Sequence, residues 1–291
     1  MLNLLITGVN GYIGQDIMRY AEKEKNYKVI GIVKRKIKTL QNKNRKTVIQ
    51  NLEKELIINS SIDAIIHCAE KNPLSSVKNF KKNKIIAKNL IKFSLKNKVK
   101  KIIFLSSITV YGKIKKKIIN ENYKKNKPNL YGQQKIESES ILLKKYKDLS
   151  VISLRLPGIL VLNTKLKKIL IMSIINKANS NKKINIYNPE ENFNNVLDTL
   201  ELFNVIKKIL DRKIKKNSIY NLSASKPIKF FNMVNFIIKK MKSKSNIKTI
   251  FNSKKSFIIS NKKFSRDYNF TFSTTKKIIT RFCKAYKKLM K

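Results

Sequence analysis

An α/β architecture, with a doubly wound parallel sheet and a smaller C-terminal substrate lobe, is the expectation for this chain of 291 residues. Three observations carry it. Short apolar runs alternate with longer helix-patterned stretches over the first 155 residues. A cluster of glycines stands between the first apolar run and the first helix, and the rhythm loosens after Arg155. Strand–helix alternation of this kind builds βαβ units, whose crossovers are nearly always right-handed.

Leu2–Thr7 reads as the first strand, and Ile13, Ile17 and Ala21 at spacing four give the inner stripe of the helix after it. Lys28–Val33 and Asp63–Cys68 are further strands, the latter followed by a helix on which Ile86, Leu90 and Phe93 share a face. Lys101–Leu105 is a strand, Tyr131 to Tyr146 a helix, and Leu149–Leu154 a strand again. Beyond it, Lys165–Ala178 and Leu197–Leu210 are helical and Ile219–Leu222 is a short strand. The tail from Phe230 mixes helix patterns with Lys/Ser/Asn-rich connections, and Lys113–Lys127 is too polar for a core and reads as a surface loop near the site. These patterns divide the chain into residues 1–158 and 159–291, with part of 190–222 returning to the main sheet.

Composition narrows the function classes. Lys and Arg number 66 against 17 Asp and Glu, a formal charge of +49, yet 42% of residues are hydrophobic and can form a sizeable core. Of the cations 59 are Lys and seven Arg, spread in runs of one to three from Arg19 to Lys291. Lys, Ile and Asn share A/T-rich codons, so codon bias explains much of this. A positive field favours nucleic acid or an anionic surface. The aromatic-plus-Arg clusters of dedicated RNA modules are missing, so a solvated lysine surface that attracts anionic substrates is the better reading. Cys68 and Cys283 make no disulfide framework, and His67, the single histidine, leaves little for a metal site. No apolar run approaches the roughly 20 residues of a membrane helix. The start is too short and uncharged for a signal peptide. A soluble, cytoplasmic protein is expected.

The sharpest motif is Thr7-Gly8-Val9-Asn10-Gly11-Tyr12-Ile13-Gly14. Only seven glycines occur in the chain, and three of them fall in this window. Glycines between a strand and a helix allow a tight turn and a close approach of backbone N–H groups to a pyrophosphate, held at the helix N-terminus. A dinucleotide is the expected ligand, with Gly8, Gly11, Tyr12, Ile13 and Gly14 as contacts. The second strand runs into Ile32-Val33-Lys34-Arg35-Lys36 and lacks the acid that would meet the ribose of NAD. Lys34 and Arg35 suit a 2′-phosphate, which favours NADP. Read as two ordinary surface cations, they leave NAD open.

Tyr131-Gly132-Gln133-Gln134-Lys135 opens a helix and puts Tyr131 and Lys135 on one face. A phenol of reference pKa about 10 is a poor base at neutral pH. A nearby ammonium and a bound oxidised nicotinamide both favour its phenolate. Ser106-Ser107 follows the strand Lys101–Leu105 at the carboxyl edge, where a hydroxyl can donate to a substrate oxygen as charge develops. Ser107, Tyr131 and Lys135 are the candidate catalytic residues.

Taken in order, Gly8-x-x-Gly11-x-x-Gly14, Asp63-Ala-Ile-Ile-His67-Cys-Ala69, Asn83, Ser106-Ser107-x-x-Val110-Tyr111-Gly112, Tyr131-x-x-x-Lys135, Arg155-Leu-Pro157, Phe193 to Asp198 and Ile219 to Leu222 form a recognisable series. The chain resembles the extended short-chain dehydrogenase/reductase family, in its NAD(P)-dependent epimerase/dehydratase branch acting on nucleotide sugars, over residues 2 to about 222. The resemblance implies a Rossmann-type domain and an enzyme of nucleotide-sugar metabolism, in the setting of polysaccharide biosynthesis. It implies Tyr131 as acid/base, Lys135 as its pKa partner and ribose ligand, and Ser107 as donor to the substrate oxygen. His67 and Ala69 would line the cofactor and Asn83 would fasten loops beside it, both His67 and Asn83 having equally good structural readings. Asn51-Leu52 falls where an Asp commonly meets the adenine, and a homodimer through helices 83–97 and 131–147 is implied.

Departures from the pattern also count. Ile108-Thr109 follows Ser107 where dehydratases carry Asp-Glu, which argues against 4,6-dehydration. Gly158 to Leu162 replaces the usual Asn and Tyr-Gly-Pro run, so one contact to a nucleotide diphosphate is lost. Arg155, Arg212 and Arg266 are candidates for phosphate contact, since Arg is rare here and binds phosphate bidentately, although an ordinary surface or structural role is the better reading of each. A reductase of a 4-keto sugar is slightly favoured. The alternatives are an epimerase with tightly held NAD and a non-catalytic NADP- or RNA-binding relative.

Overall fold

The computed structural model describes residues 1–34, 45–71, 76, 78–162, 170–212, 216–251 and 256–290. In chain order come β1 (Leu2–Thr7), α1 (Tyr12–Ala21), β2 (Tyr27–Val33), β3 (Arg45–Ile49), β4 (Ala64–His67), α2 (Lys78–Lys96) and β5 (Lys101–Ser107). A 3-10 turn, Ile108–Tyr111, leads to β6 (Ile118–Ile119), α3 (Leu130–Leu142), β7 (Ser150–Leu156) and β8 (Gly158–Leu160). Next are α4 (Leu170–Asn179), β9 (Ile184–Tyr187), β10 (Asn192–Phe193), β11 (Val196–Asp198), α5 (Thr199–Asp211) and β12 (Ser218–Asn221). The tail forms β13 (Ile228–Lys229), α6 (Phe230–Met241), β14 (Ile247–Ile250), β15 (Ile258–Ile259), α7 (Lys262–Tyr268) and α8 (Thr275–Met290).

Two compact units result. The first comprises Met1–Lys113, Lys124–Arg155 and Phe203–Tyr220; the second comprises Ile114–Tyr123, Leu156–Leu202 and Asn221–Lys291. In the first, a seven-stranded sheet runs β12-β7-β5-β4-β1-β2-β3. β1 pairs in parallel with β2 and β4, β2 with β3, and β4 with β5. This is the doubly wound, Rossmann-type α/β sheet expected from the alternation. Leu4, Leu5 and Ile6 of the central β1 are fully buried, as befits a parallel strand covered on both faces. One face packs Leu5, Ile65, Ile102 and Phe104 against Ile86, Leu90 and Phe93 of α2 and Leu142 of α3. Ile17 and Met18 of α1 and Val205, Ile206 and Ile209 of α5 are buried as well, and the rings of Tyr20 and Phe203 lie 5.5 Å apart.

Two details of this unit differ from expectation. The edge strand β3, Arg-Lys-Thr-Val-Ile, shows no apolar alternation, because an edge position does not demand it. The helix expected to reach Tyr146 stops at Leu142, and Tyr146 forms an antiparallel bridge with Leu149 across a turn with Asp148 at φ 58°.

The second unit holds short paired strands: β6 with β15, β8 with β11, β9 with β14 and β10 with β13. Ile171, Met172 and Ile175 of α4, Met233, Val234 and Ile237 of α6, and Ile278, Ile279 and Phe282 of α8 fill its interior. The Arg281 guanidinium binds the Asp198 carboxylate and, at 3.1 Å, Glu201. The stretch expected as a surface loop, 113–127, corrects in one respect: Ile118–Ile119 forms β6, and Ile119 is buried although lysines surround it in sequence.

Candidate active site

The glycine loop is shaped by close approach. Gly8 has φ +76°, and a Cβ there would stand 2.7 Å from the Ala69 amide nitrogen. A Cβ on Gly14 would collide with the Gly8 carbonyl oxygen, so only glycine lets α1 start this close to the loop. Gly11 is the N-cap, in extended conformation, and no side chain caps it; the first turn of α1 holds no acid. The residues fit a dinucleotide: the cradle is one a Cβ would fill, and the positive end of α1 faces the loop unopposed. Tyr12 is 40% exposed in that first turn. Asn10 Oδ1 accepts a hydrogen bond from the Lys34 amide at 2.6 Å, tying the residue after β2 to the loop. Arg35 lies outside the described residues. Asn51 Oδ1 accepts from the Glu53 amide at 3.1 Å in a tight turn, while the Leu52 side chain belongs to the core.

At the end of β4, His67 is buried, its Nδ1 hydrogen-bonded to Thr7 Oγ1 at 2.7 Å and its ring stacked on Phe104. Burial, and then the Lys135 charge, push its pKa down to about 3, so the imidazole is neutral. The Ala69 amide donates to Thr7 Oγ1 at 3.3 Å. Two residues further on, Asn83 of α2 clamps Lys71 on both sides, accepting from its amide at 2.9 Å and donating to its carbonyl at 2.8 Å. His67 and Asn83 thus hold the strand end in place through hydrogen bonds within the chain.

Ser107 ends β5, and Tyr131 and Lys135 stand on α3, whose Lys135 reaches β5. Asn129 caps α3 by accepting from the Gly132 amide at 2.9 Å, which starts the helix so that Tyr131 lies in its first turn and Lys135 one turn on. Lys135 Nζ donates to the Leu105 carbonyl at 2.6 Å and lies 5.6 Å from the Tyr131 ring centroid and 4.9 Å from that of Phe104. It also forms an ion pair with Glu70, the two side chains only 7% and 8% exposed. Burial pulls the ammonium's pKa down, but Glu70 and Tyr131 push it up, and the balance lies above the ordinary lysine value. Ser107 Oγ accepts from the Thr109 amide at 3.2 Å and from Thr109 Oγ1 at 3.0 Å, which leaves its own proton to donate.

Beneath this layer lies a second buried charge pair. Adjacent strand residues point to opposite faces, so beside Ser107 the Ser106 hydroxyl turns inward and donates to Glu139 at 2.7 Å. Arg155 donates to Glu139 at 3.0 and 2.7 Å and to the Tyr111 hydroxyl at 2.9 Å, and Ser153 adds a further bond to Glu139 at 3.0 Å. Burial raises the Glu139 carboxyl, but the Arg155 guanidinium outweighs it and holds the pKa below the usual range. Arg155, a candidate for phosphate contact with a structural role as its better reading, is 3% exposed with its donors committed inside the protein, because a buried cation needs partners at hand.

A cradle for a dinucleotide and a phenol, ammonium and hydroxyl grouped on β5 and α3 therefore stand in one unit. The family model described as NAD dependent epimerase/dehydratase matches residues 4–223. The chain belongs to that family. The resemblance read from the motifs is borne out, and this epimerase/dehydratase family member is placed among NAD-dependent enzymes. Solved structures share its fold over nearly the whole length. UDP-glucose 4-epimerase of Thermotoga maritima, solved with UDP-glucose, is 15% identical with a TM-score of 0.81, covering 100% of both chains. UDP-N-acetylglucosamine 4-epimerase of Bacillus cereus is 17% identical with a TM-score of 0.80, covering 99% of this chain and 97% of that one. dTDP-glucose 4,6-dehydratase of Bacillus anthracis, in complex with NAD, is 18% identical with a TM-score of 0.79 and the same coverage. No curated protein matches the chain.

Two acids of this family member escaped the sequence reading. Glu139 had a signal, since it follows Tyr131 and Lys135 at the same spacing of four. Glu70 had a weaker one: an acid directly after Ala69, in a chain with few acids. Among the described residues no group of three His, Cys, Asp or Glu could hold a metal, and no helix is long and apolar enough to cross a membrane.

Proposed function

We propose that this protein is an NAD(P)-dependent oxidoreductase of a nucleotide-activated sugar, acting at a carbonyl or alcohol carbon with Tyr131 as acid/base. A 4-keto-sugar reductase using NADP is the favoured form. The observation that carries the reading is the grouping of Tyr131, Lys135 and Ser107 at β5 and α3, with the glycine cradle in the same unit. When bound, the nicotinamide supplies the hydride or accepts it. Gly8, Gly11, Tyr12, Ile13 and Gly14 hold the pyrophosphate, and Ala69 lies against Gly8 where the loop meets β4. Ser107 Oγ donates to the substrate oxygen. The Tyr131 hydroxyl passes that oxygen a proton in reduction and removes it in oxidation, and the ammonium of Lys135 stabilises the phenolate in between.

Support for NADP comes from Lys34, held beside the loop by Asn10, and from the lack of an acid at the end of β2. Ile108-Thr109 after Ser107 supports a reductase over a dehydratase. A second reading, an epimerase that retains NAD, draws support from two structural neighbours that are 4-epimerases. A homodimer through α2 and α3 belongs to the same proposal, and Ile85 and Leu95 of α2 leave apolar surface exposed.

Titration with NADPH and NADH by fluorescence, beside an assay of cofactor in the purified protein, separates these readings. Preferential NADPH binding to empty protein supports the reductase, and co-purified NAD supports the epimerase. Failure to bind either sinks both. Tyr131→Phe is expected to bind cofactor and lose turnover by about 100-fold or more; undiminished turnover removes Tyr131 from its role.

A further inference from the structure

We propose that Glu70 is a positioning residue of this site, the counter-ion that fixes Lys135 in place and keeps the Tyr131–Lys135 couple protonated until the pH of its task. The proposal rests on the reading of Tyr131 as acid/base.

The geometry is specific. Glu70 follows the Ala69 that packs on the glycine loop, and its carboxylate is almost wholly buried against the Lys135 ammonium. Ser138, one turn beyond Lys135 on α3, donates to the other Glu70 oxygen at 2.8 Å, so the carboxylate is held from both sides. The Leu105 carbonyl accepts a hydrogen bond from the Lys135 ammonium at 2.6 Å and sets its direction.

The charges around the pair leave Glu70 as the balancing anion. From the β4 end, His67 is neutral, and burial, only partly opposed by Lys135, pushes the Cys68 thiol up to about 12, so it too is neutral. From α3 itself come Tyr131, which is part of the couple, and Glu139, which is engaged by Arg155. The packed helix α2 offers Lys84, which pairs with Glu137 at 2.9 Å in a half-exposed position. β5 contributes the Leu105 carbonyl and the ring of Phe104, neither of them charged. A buried ammonium without a counter-ion sheds its proton to solvent readily, or favours loss of a neighbouring phenol's proton to solvent, so that the phenolate becomes its counter-ion. With Glu70 neutralised, the couple loses its first proton at lower pH whichever partner releases it, since the two titrate as a unit.

The test follows both groups by NMR in the cofactor-free full chain, with ¹³Cζ-tyrosine and ¹³Cε-lysine labels assigned through Tyr131→Phe and Lys135→Met. In Glu70→Gln the first titration of the couple is expected about 1 pH unit or more below that of the unsubstituted protein. Glu70→Asp, which keeps the charge on a shorter arm, gives a smaller shift of the same sign, and it carries the test alone if the Gln variant does not fold. The pH profile of turnover moves the same way. A first titration unchanged in the folded variant, or moved to higher pH, overturns the proposal. The NMR readout needs neither substrate nor cofactor, so a protein that binds no NAD(P)H would sink the functional reading and leave this one standing or falling separately.

Discussion

His67 shows how burial settles a residue's chemistry. In the sequence it is a lone histidine inside a cofactor motif; in the fold its ring is enclosed between Thr7 and Phe104 and stays neutral. Its pKa falls from 6.5 in the unfolded chain to about 3 in the folded one. The unfolded state therefore binds more protons between those values, and stability complete above pH 6.5 is lost as the pH falls towards 3. Between about pH 7 and 5 that loss amounts to about 2 kcal/mol. Glu139, whose pKa is depressed, adds acid sensitivity only lower down, below the ordinary carboxylate range. Urea unfolding at the two pH values should show the loss in the unsubstituted protein and little of it in His67→Asn. Equal pH dependence in both would assign the effect elsewhere. Of the readings of Arg155, a phosphate contact or an ordinary surface or structural cation, burial beside Glu139 selects the structural one.

At the scale of elements, the strands and helices that carry the site were legible because each has a strong local signal. Leu2–Thr7 matches β1 residue for residue, and the Tyr131–Lys135 spacing falls on α3 as read. The edge strand β3 and the two-residue strands of the second unit were not legible, since pairing partners far along the chain make them and local pattern does not. The loop from β1 to α1 gives a direct test. Gly14→Ala in an ordinary helix stabilises by about 1 kcal/mol, but here the methyl meets the Gly8 carbonyl and must push α1 away from the loop. The expected outcome is a lower melting temperature and at least about tenfold weaker NADPH binding, measured by the same fluorescence titration. A variant that is more stable and binds normally would show that the close approach is not needed.

For the molecule as a whole, a charge of +49 means self-repulsion that local ion pairs only partly relieve. Several acids serve more than one lysine: Glu53 pairs with Lys71 and Lys82, and Glu55 with Lys92 and Lys96. Such surface pairs are worth little each. Added salt screens the repulsion among the remaining lysines, so the melting temperature should climb by several degrees from about 50 mM to about 500 mM NaCl. Calorimetry that finds a flat or falling melting temperature would mean that the surface pairs, also screened by salt, contribute more than the repulsion.

The glycine loop, the Tyr-x-x-x-Lys helix and the strand–helix rhythm could be read from the chain, because each depends on residues a few positions apart whose geometry the backbone enforces. The family followed from their order. The pairing of Glu70 with Lys135 and the engagement of Arg155 by Glu139 could not be read, since they join residues 65 and 16 positions apart. Whether such charges meet is set by which side chains the folded core shuts away from water together, and burial is what turns an acid and a base into partners.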